Sequence, residues 1–425
     1  MQRTTTGDTP VVGIGASGPS SVRPAQRSAS RLGTALLVYM LGVTLIITLL
    51  PFQFTWPSHL RVMWTGDAMD VIANVLLFVP LGLLYRIATH LSTRHAVMRA
   101  LAAGLLVSMG IEALQLFEVE RYTSVLDVAT NGLGAIVGAV VFDRLAQQRA
   151  LDVRWIGRLF LELPLMGLIY LTIPLLWLSA LVATVTPDWA WIALPLAAFG
   201  GMLLGGTLRH MNVYRGSPIS AERMGVYAAA GVCVGMFPAA TRAPLAIGTG
   251  AVMAFVVTRL AAAPSARRPA WNRRFEVPVL RSAAPFYAIF IGLLILLPLL
   301  NGVAPFSLGV GFTGTAGVWD KAEILRFLLR VAGMTLLGYM VAEYRGREEK
   351  QLKDALPRML HWTLATATCI ECAMGYRAGR GASIAQWSLL VLSGLYGGWL
   401  YRLQRDYVVA LLEEPREQDS APTEL

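Results

Sequence analysis

Inside an otherwise apolar stretch, a small set of polar side chains recurs: Asp70 and Asn74, Glu112 and Gln115, then Arg121, Asp127 and Asn131. Spacings of three and four residues put the members of each pair on one helical face. Three carboxylates, three carboxamides and one guanidinium can do several things together. A carboxylate made a stronger base by burial and like-charged neighbours can take a proton. Carboxylates can hold a cation, and a guanidinium can grip an anionic group with two parallel hydrogen bonds. No nucleophile motif and no His or Cys joins the set, so neither a metal centre nor a cofactor is expected.

The surrounding elements belong to a membrane. Of 425 residues, 55% are hydrophobic and only 15% charged, against about a quarter charged in soluble domains. Twelve apolar runs have helix-spanning length: 32–50, 71–88, 97–117, 124–142, 159–183, 189–208, 223–240, 244–263, 284–302, 323–342, 359–376 and 384–402. The expected fold is therefore an all-α polytopic transmembrane bundle. With both termini cytoplasmic, all but Arg61, Arg121, Arg242, Lys321, Arg326, Arg330, Arg377 and Arg380 of the 36 Lys and Arg fall inside, as the positive-inside rule asks. The net charge of +10 sits in short loops rather than on one soluble face, which excludes nucleic acid as a partner. Membrane lipids are the expected partner, and the basic segments 209–223 and 267–281 suit an anionic inner leaflet.

This topology brings the polar residues to one depth. The segment EVERYT after span three lies on the outer side, with Glu112, Gln115, Asp127, Asn131, Asp70 and Asn74 all in outer halves. An ionisable side chain within a span costs about 2.5–3.5 kcal/mol and normally faces a partner. Two readings stand. The set pins three helices together, with Arg121 paired to Glu112 or Asp127, or it lines a polar pocket open to the outer leaflet.

Other features carry less chemistry. Residues 1–31 are expected as a disordered tail, and their GIGASG lacks the strand and helix of a dinucleotide site. A cleaved signal peptide is not expected there. Cys369 and Cys372 form a CxxC without a second ligand pair, and are expected to pack as small residues. Residues 159–263 are rich in Gly and Pro and are expected as a four-helix linker bundle. Residues 403–425 are expected as a cytoplasmic tail.

The segments PFQF (51–54), DVIANVLLFVPLG (70–82), SMGIEALQ (108–115) and RYTSVLDVATNGLGAIVG (121–138) resemble the VanZ-like family of bacterial membrane proteins. The resemblance covers residues 32–142 as a four-helix module. It implies a place in the bacterial cytoplasmic membrane and a role in the cell envelope. The family's founding member is an accessory protein in teicoplanin resistance, so an effect on glycopeptide susceptibility is implied as well. It brings no established biochemical activity.

Residues 284–402 repeat the pattern in worn form and in the same orientation, a parallel internal repeat. Glu112, Arg121, Ser124 and Gly138 have counterparts at equal spacing in Glu371, Arg380, Ser383 and Gly397. LLPFQF is echoed by VAPFSL (303–308), Asp70 by Glu323, Asn74 by Phe327, and Asp127 by Gln386. Arg326 and Arg330 fall inside span ten, where a lipid phosphate or an ion pair with Glu323 or Glu371 would satisfy them. The leading expectation is an envelope protein that binds an anionic, lipid-linked intermediate through the first polar set. There Arg121 meets the anionic group directly or through a cation on Asp70, Glu112 and Asp127. An enzyme acting on that intermediate, a transporter and a purely structural bundle remain as alternatives.

Overall fold

The computed structural model describes residues 24–50, 52–56, 62–64, 66–89, 93–118, 122–147, 164–214, 219–263, 276–313, 320–345 and 352–413. Among the described residues there are twelve α-helices, matching the twelve apolar runs one for one. They are α1 (Pro24–Thr48), α2 (Ala68–Ala88), α3 (Thr93–Gln115), α4 (Val125–Gln147), α5 (Pro164–Val185), α6 (Ala193–Tyr214), α7 (Ala221–Gly235), α8 (Pro244–Ala262), α9 (Glu276–Leu296), α10 (Lys321–Arg345), α11 (Leu352–Gly375) and α12 (Ile384–Glu413). Nine of these are long and apolar enough to cross a membrane. Of the other three, α7 has only 15 residues, while α11 and α12 fall short of the same apolar measure. The protein is an all-α polytopic membrane bundle.

The N-terminus corrects one expectation. Helix α1 begins at Pro24, so residues 24–31 form its polar first turns instead of a tail; proline suits a first helical position because the N–H it lacks has no partner there. At the other end α12 runs to Glu413, carried past the apolar run by helix-favouring Leu, Gln and Arg. The GIGASG segment and most of the basic stretch 267–281 lie outside the described residues.

Three four-helix groups follow the chain. In the first, α2 packs most extensively on α4, with α3 and α1 beside them. Close approach needs glycine here. A Cβ on Gly82 would strike the backbone of Ala135, and one on Gly138 the backbone of Val79. In the middle group α6 and α8 meet in the same way, Gly201 and Gly205 lying against Ala254 and Thr258. In the last group α10 packs on α12, with Gly338 against Gly394 and Gly397 against Thr335. Helix α9 sits mainly on α6 rather than α10, and α5 covers α10 instead. Consequently α10 is the most enclosed of the nine apolar helices, 78% of its apolar window being buried. The first and last groups meet through α1 and α12, where Tyr396 Oη donates to the Ala35 carbonyl at 3.0 Å.

Each of these two groups closes one end with a two-stranded parallel pair. β1 (Val62–Met63) pairs with β2 (Thr123–Ser124), and β3 (Leu308–Gly309) with β4 (Ala382–Ser383). Antiparallel bridges sit beside them, Phe54 to Glu118 and Val303 to Arg377.

Candidate functional site

The end of the first group carrying β1 and β2 gathers the chemistry. Helix α3 stops at Gln115, the chain turns through Glu118, and β2 leads directly into α4. Glu112, buried in the last turn of α3, reaches across and accepts the Ser124 N–H at 2.7 Å. Thr123 Oγ1 donates to the Glu112 carbonyl at 3.3 Å. Ser124 Oγ then accepts the Asp127 N–H at 3.2 Å and caps the new helix. Buried Gln115 donates from Nε2 to the Thr48 carbonyl at 2.8 Å, tying α3 to the end of α1. Deeper in, Asn131 donates from Nδ2 to Ser108 Oγ at 2.9 Å, joining α4 to α3. Three of the expected residues, Glu112, Gln115 and Asn131, therefore fasten helices.

Asp70 is exposed in the first turn of α2, and Asn74 and Asp127 are half-buried. Arg121 lies outside the described residues. Among the described residues no three His, Cys, Asp or Glu side chains are grouped closely enough to hold a metal ion. Asp70, Glu112 and Asp127 share this end of the module, Glu112 bonded through Oε2 to the Ser124 amide and Asp70 exposed. Exposed aromatic side chains ring this end, Trp56 at 85% and Trp64 at 73% exposed, with Phe52, Phe54 and Tyr122 beside them. A cavity of about 90 Å³ lies deeper between α1, α2, α3 and α4 and is lined almost wholly by apolar residues.

Glu118 is a polar centre that the sequence reading passes over. It is 4% exposed, and its Oε1 accepts the Phe52 N–H at 2.9 Å and the Gln53 N–H at 3.4 Å. Phe52 has φ of 64°, a left-handed conformation that bulky side chains rarely adopt. The buried carboxylate holds that strained backbone in place. A loop glutamate between apolar spans gives no sequence signal for this, since such residues are normally solvated.

The end carrying β3 and β4 repeats the frame with other charges. Glu371 Oε2 accepts the Ser383 N–H at 2.9 Å, and Ser383 Oγ caps Gln386 at 3.1 Å, as Glu112 and Ser124 do for Asp127. The packed glycines fix the register: Gly338 and Thr335 of α10 occupy the places of Gly82 and Val79 of α2. Counting back, Arg326 stands where Asp70 does, Arg330 where Asn74 does, and Glu323 where Asp67 does. The expected pairing of Asp70 with Glu323 is thus displaced by three residues. Spacings near one helical turn look alike in sequence, so only backbone packing separates the two registers. The turn is displaced too: Tyr376 meets Phe306 edge-on at 5.3 Å and Phe117 meets Trp56 tilted at 5.6 Å, which sets Phe306 opposite Trp56 instead of Phe52.

In this second cluster Glu323 is the hub. It pairs with Arg326 on its own helix, with Arg377 Nη2 at 2.7 Å and with Arg380 Nε at 3.9 Å. Glu371 Oε1 lies 3.8 Å from Arg330 Nη1. The Arg326 guanidinium sits 5.0 Å from the ring centre of Trp189, in the 3₁₀ turn before α6. Neither Arg326 nor Arg330 snorkels outward; both are buried. Arg377 takes the place of Glu118 and was not expected as a site residue. Burial pulls the Arg380 guanidinium, in the turn after α11, below its ordinary value, while Glu323 opposes this. Cys369 and Cys372, expected to pack inside, lie exposed on the outward face of α11.

Comparison with known proteins adds one match. Residues 19–147 match the VanZ/LLP1 family model, and this part of the chain is a VanZ-like module. The match ends where α4 ends. No curated protein and no solved structure matches the chain.

Proposed function

We propose that the VanZ-like module binds the head group of an anionic, lipid-linked envelope intermediate from the outer leaflet of a bacterial cytoplasmic membrane, and so shields or remodels the envelope. The observation carrying this is the division of labour at one end of the module. Glu112, Gln115, Asn131 and Glu118 hold the frame, while at the same end Asp70 stands exposed, Asn74 and Asp127 are half-buried, and Trp56 and Trp64 are exposed. Exposed Trp and Tyr prefer the membrane–water interface. Carboxylates and carboxamides are suited to the hydroxyl and amide groups of a sugar-bearing head group. Arg121 is assigned the anionic group. We read residues 284–402 as a duplicated and recharged copy of the module, a reading supported by the shared turn, cap and glycine packing.

The test is lipid analysis of the full-length protein purified in native nanodiscs. Wild type is expected to retain an anionic glycosylated lipid that Asp70→Asn and Asp127→Asn release, with folding intact. Identical lipid content in all three proteins overturns the proposal. In cells, the same variants should abolish any change in teicoplanin susceptibility that expression of the wild type produces.

A further inference from the structure

We propose that the polar end of α10, with the turn between α11 and α12, is a binding site for a phosphate-class anion. It concerns residues outside the VanZ-like match and stands or falls apart from the head-group reading above.

The case begins with charge. Among the described residues, the cluster holds four guanidiniums (Arg326, Arg330, Arg377 and Arg380) against two carboxylates, Glu323 and Glu371. Asp320 and Lys321 flank it, both exposed and opposite in sign. All but Arg380 of the six are buried, at 4–8% exposure, and half of them lie on the most enclosed apolar helix. A structural clasp in such a place would be neutral and saturated, because an uncompensated buried charge is expensive. This cluster is neither. Arg326 Nε and Arg377 Nε and Nη1 are buried and have no hydrogen-bond partner among the described residues, and Arg330 Nη1, also without one, lies 3.8 Å from the equally unpartnered Glu371 Oε1. Setting Arg330 Nη1 against Glu371 Oε1 still leaves three unmet donors, on Arg326 and Arg377, in a cluster with two more guanidiniums than carboxylates.

The donors are also held in advance. Trp189 braces the Arg326 guanidinium, Arg330 Nε leans on the Arg326 carbonyl at 3.4 Å, and Glu323 fixes Arg377. Planar guanidinium forks match phosphate oxygens two at a time. Approach is from the turn, where Arg377 and Arg380 keep 10% and 12% of their side chains exposed. Beside Glu371 a cleft of about 270 Å³ opens between Phe306, Ile384 and Trp387, apolar enough for a hydrocarbon chain next to the head group. At the corresponding places the first module carries Asp70, Asn74 and Glu118. The same frame, with its charge reversed, would therefore take a different ligand.

The test uses the full-length protein in detergent, delipidated, with thermal unfolding followed in inorganic phosphate and in chloride of equal ionic strength. In parallel, native mass spectrometry follows retention of phosphatidic acid from nanodiscs otherwise made of phosphatidylcholine. Wild type should be stabilised by phosphate, retain phosphatidic acid, or both. Phosphate stabilisation alone identifies a free anion as the source, and phosphatidic acid retention alone a lipid head group. Arg330→Gln and Arg377→Gln should weaken either effect roughly 10- to 150-fold, the worth of a charged hydrogen bond. Without ligand Arg330→Gln, whose nearest carboxylate oxygen is 3.8 Å away, should not unfold earlier than wild type, whereas Arg377→Gln loses its 2.7 Å pair with Glu323 and should unfold earlier, so only its ligand-dependent shift is read. Exposed Arg259→Gln should change nothing. The proposal is overturned if wild type responds to neither probe, an outcome needing no variant. It is also overturned if Arg330→Gln unfolds earlier than wild type without ligand, as the loss of a structural ion pair would require.

Discussion

Replacing Glu112 by alanine removes the acceptor for the buried Ser124 N–H, now bonded at 2.7 Å. A hydrogen bond to a charged group contributes about 1.5–3 kcal/mol, and the orphaned donor would stay buried. Local opening at Ser124 is favoured by the same amount, so its amide should exchange with deuterium about 10- to 150-fold faster. Glu112→Gln keeps a carbonyl acceptor in place and loses only the charge, about 1 kcal/mol, or roughly a fivefold change. The assay is hydrogen exchange with mass spectrometry on peptides spanning residues 122–126, in the purified full-length protein. The Ser383 amide, held by Glu371 at 2.9 Å in the other frame, serves as an internal reference and should not change. Unaltered exchange at Ser124 in Glu112→Ala would refute the fastening role. Equal damage from glutamine and alanine would show that charge, not the acceptor, matters, which the geometry does not allow.

Gly138→Leu should separate α2 from α4 and cost several kcal/mol, on the scale of severe overpacking, because its side chain would enter the Val79 backbone; loss of monodisperse protein on size exclusion would report it, and Gly397→Leu should do the same to α10 and α12. Arg86→Gln leaves Asp143, paired with it at 2.8 Å and 6% exposed at the side chain, without its partner, and should lower the unfolding free energy by about 3 kcal/mol in denaturant titration. Glu118→Ala frees the Phe52 and Gln53 amides and the left-handed backbone at Phe52, so limited proteolysis should cut near residues 52–56 in the variant and not in wild type.

The twelve helices are legible in the sequence because a hydrocarbon core demands long apolar runs whatever else a chain does. Their ends are less so, since α1 and α12 continue through polar residues that favour helix without being apolar. Asp70, Glu112 and Asp127 stand out because charge is rare in such runs, and their common end follows from topology alone. Which of them fastens and which stands exposed does not follow, as it depends on whether a backbone amide lies within reach. Glu118 and Arg377 escape notice because a charged loop residue ordinarily stays in water. The three-residue register between α2 and α10 is set by glycine-to-backbone contacts, to which side-chain spacing is blind.

Both binding proposals require the two polar ends to open on the outer face of the membrane, and cysteine labelling tests this most directly. With Cys233, Cys369 and Cys372 replaced, Trp64→Cys and Phe312→Cys report the two polar ends and Arg144→Cys the far end of α4; all three positions are exposed. An impermeant maleimide on intact cells should label positions 64 and 312 and leave 144 until the membrane is opened. Labelling of 64 and 312 from opposite sides, or of 144 alone from outside, would contradict the account.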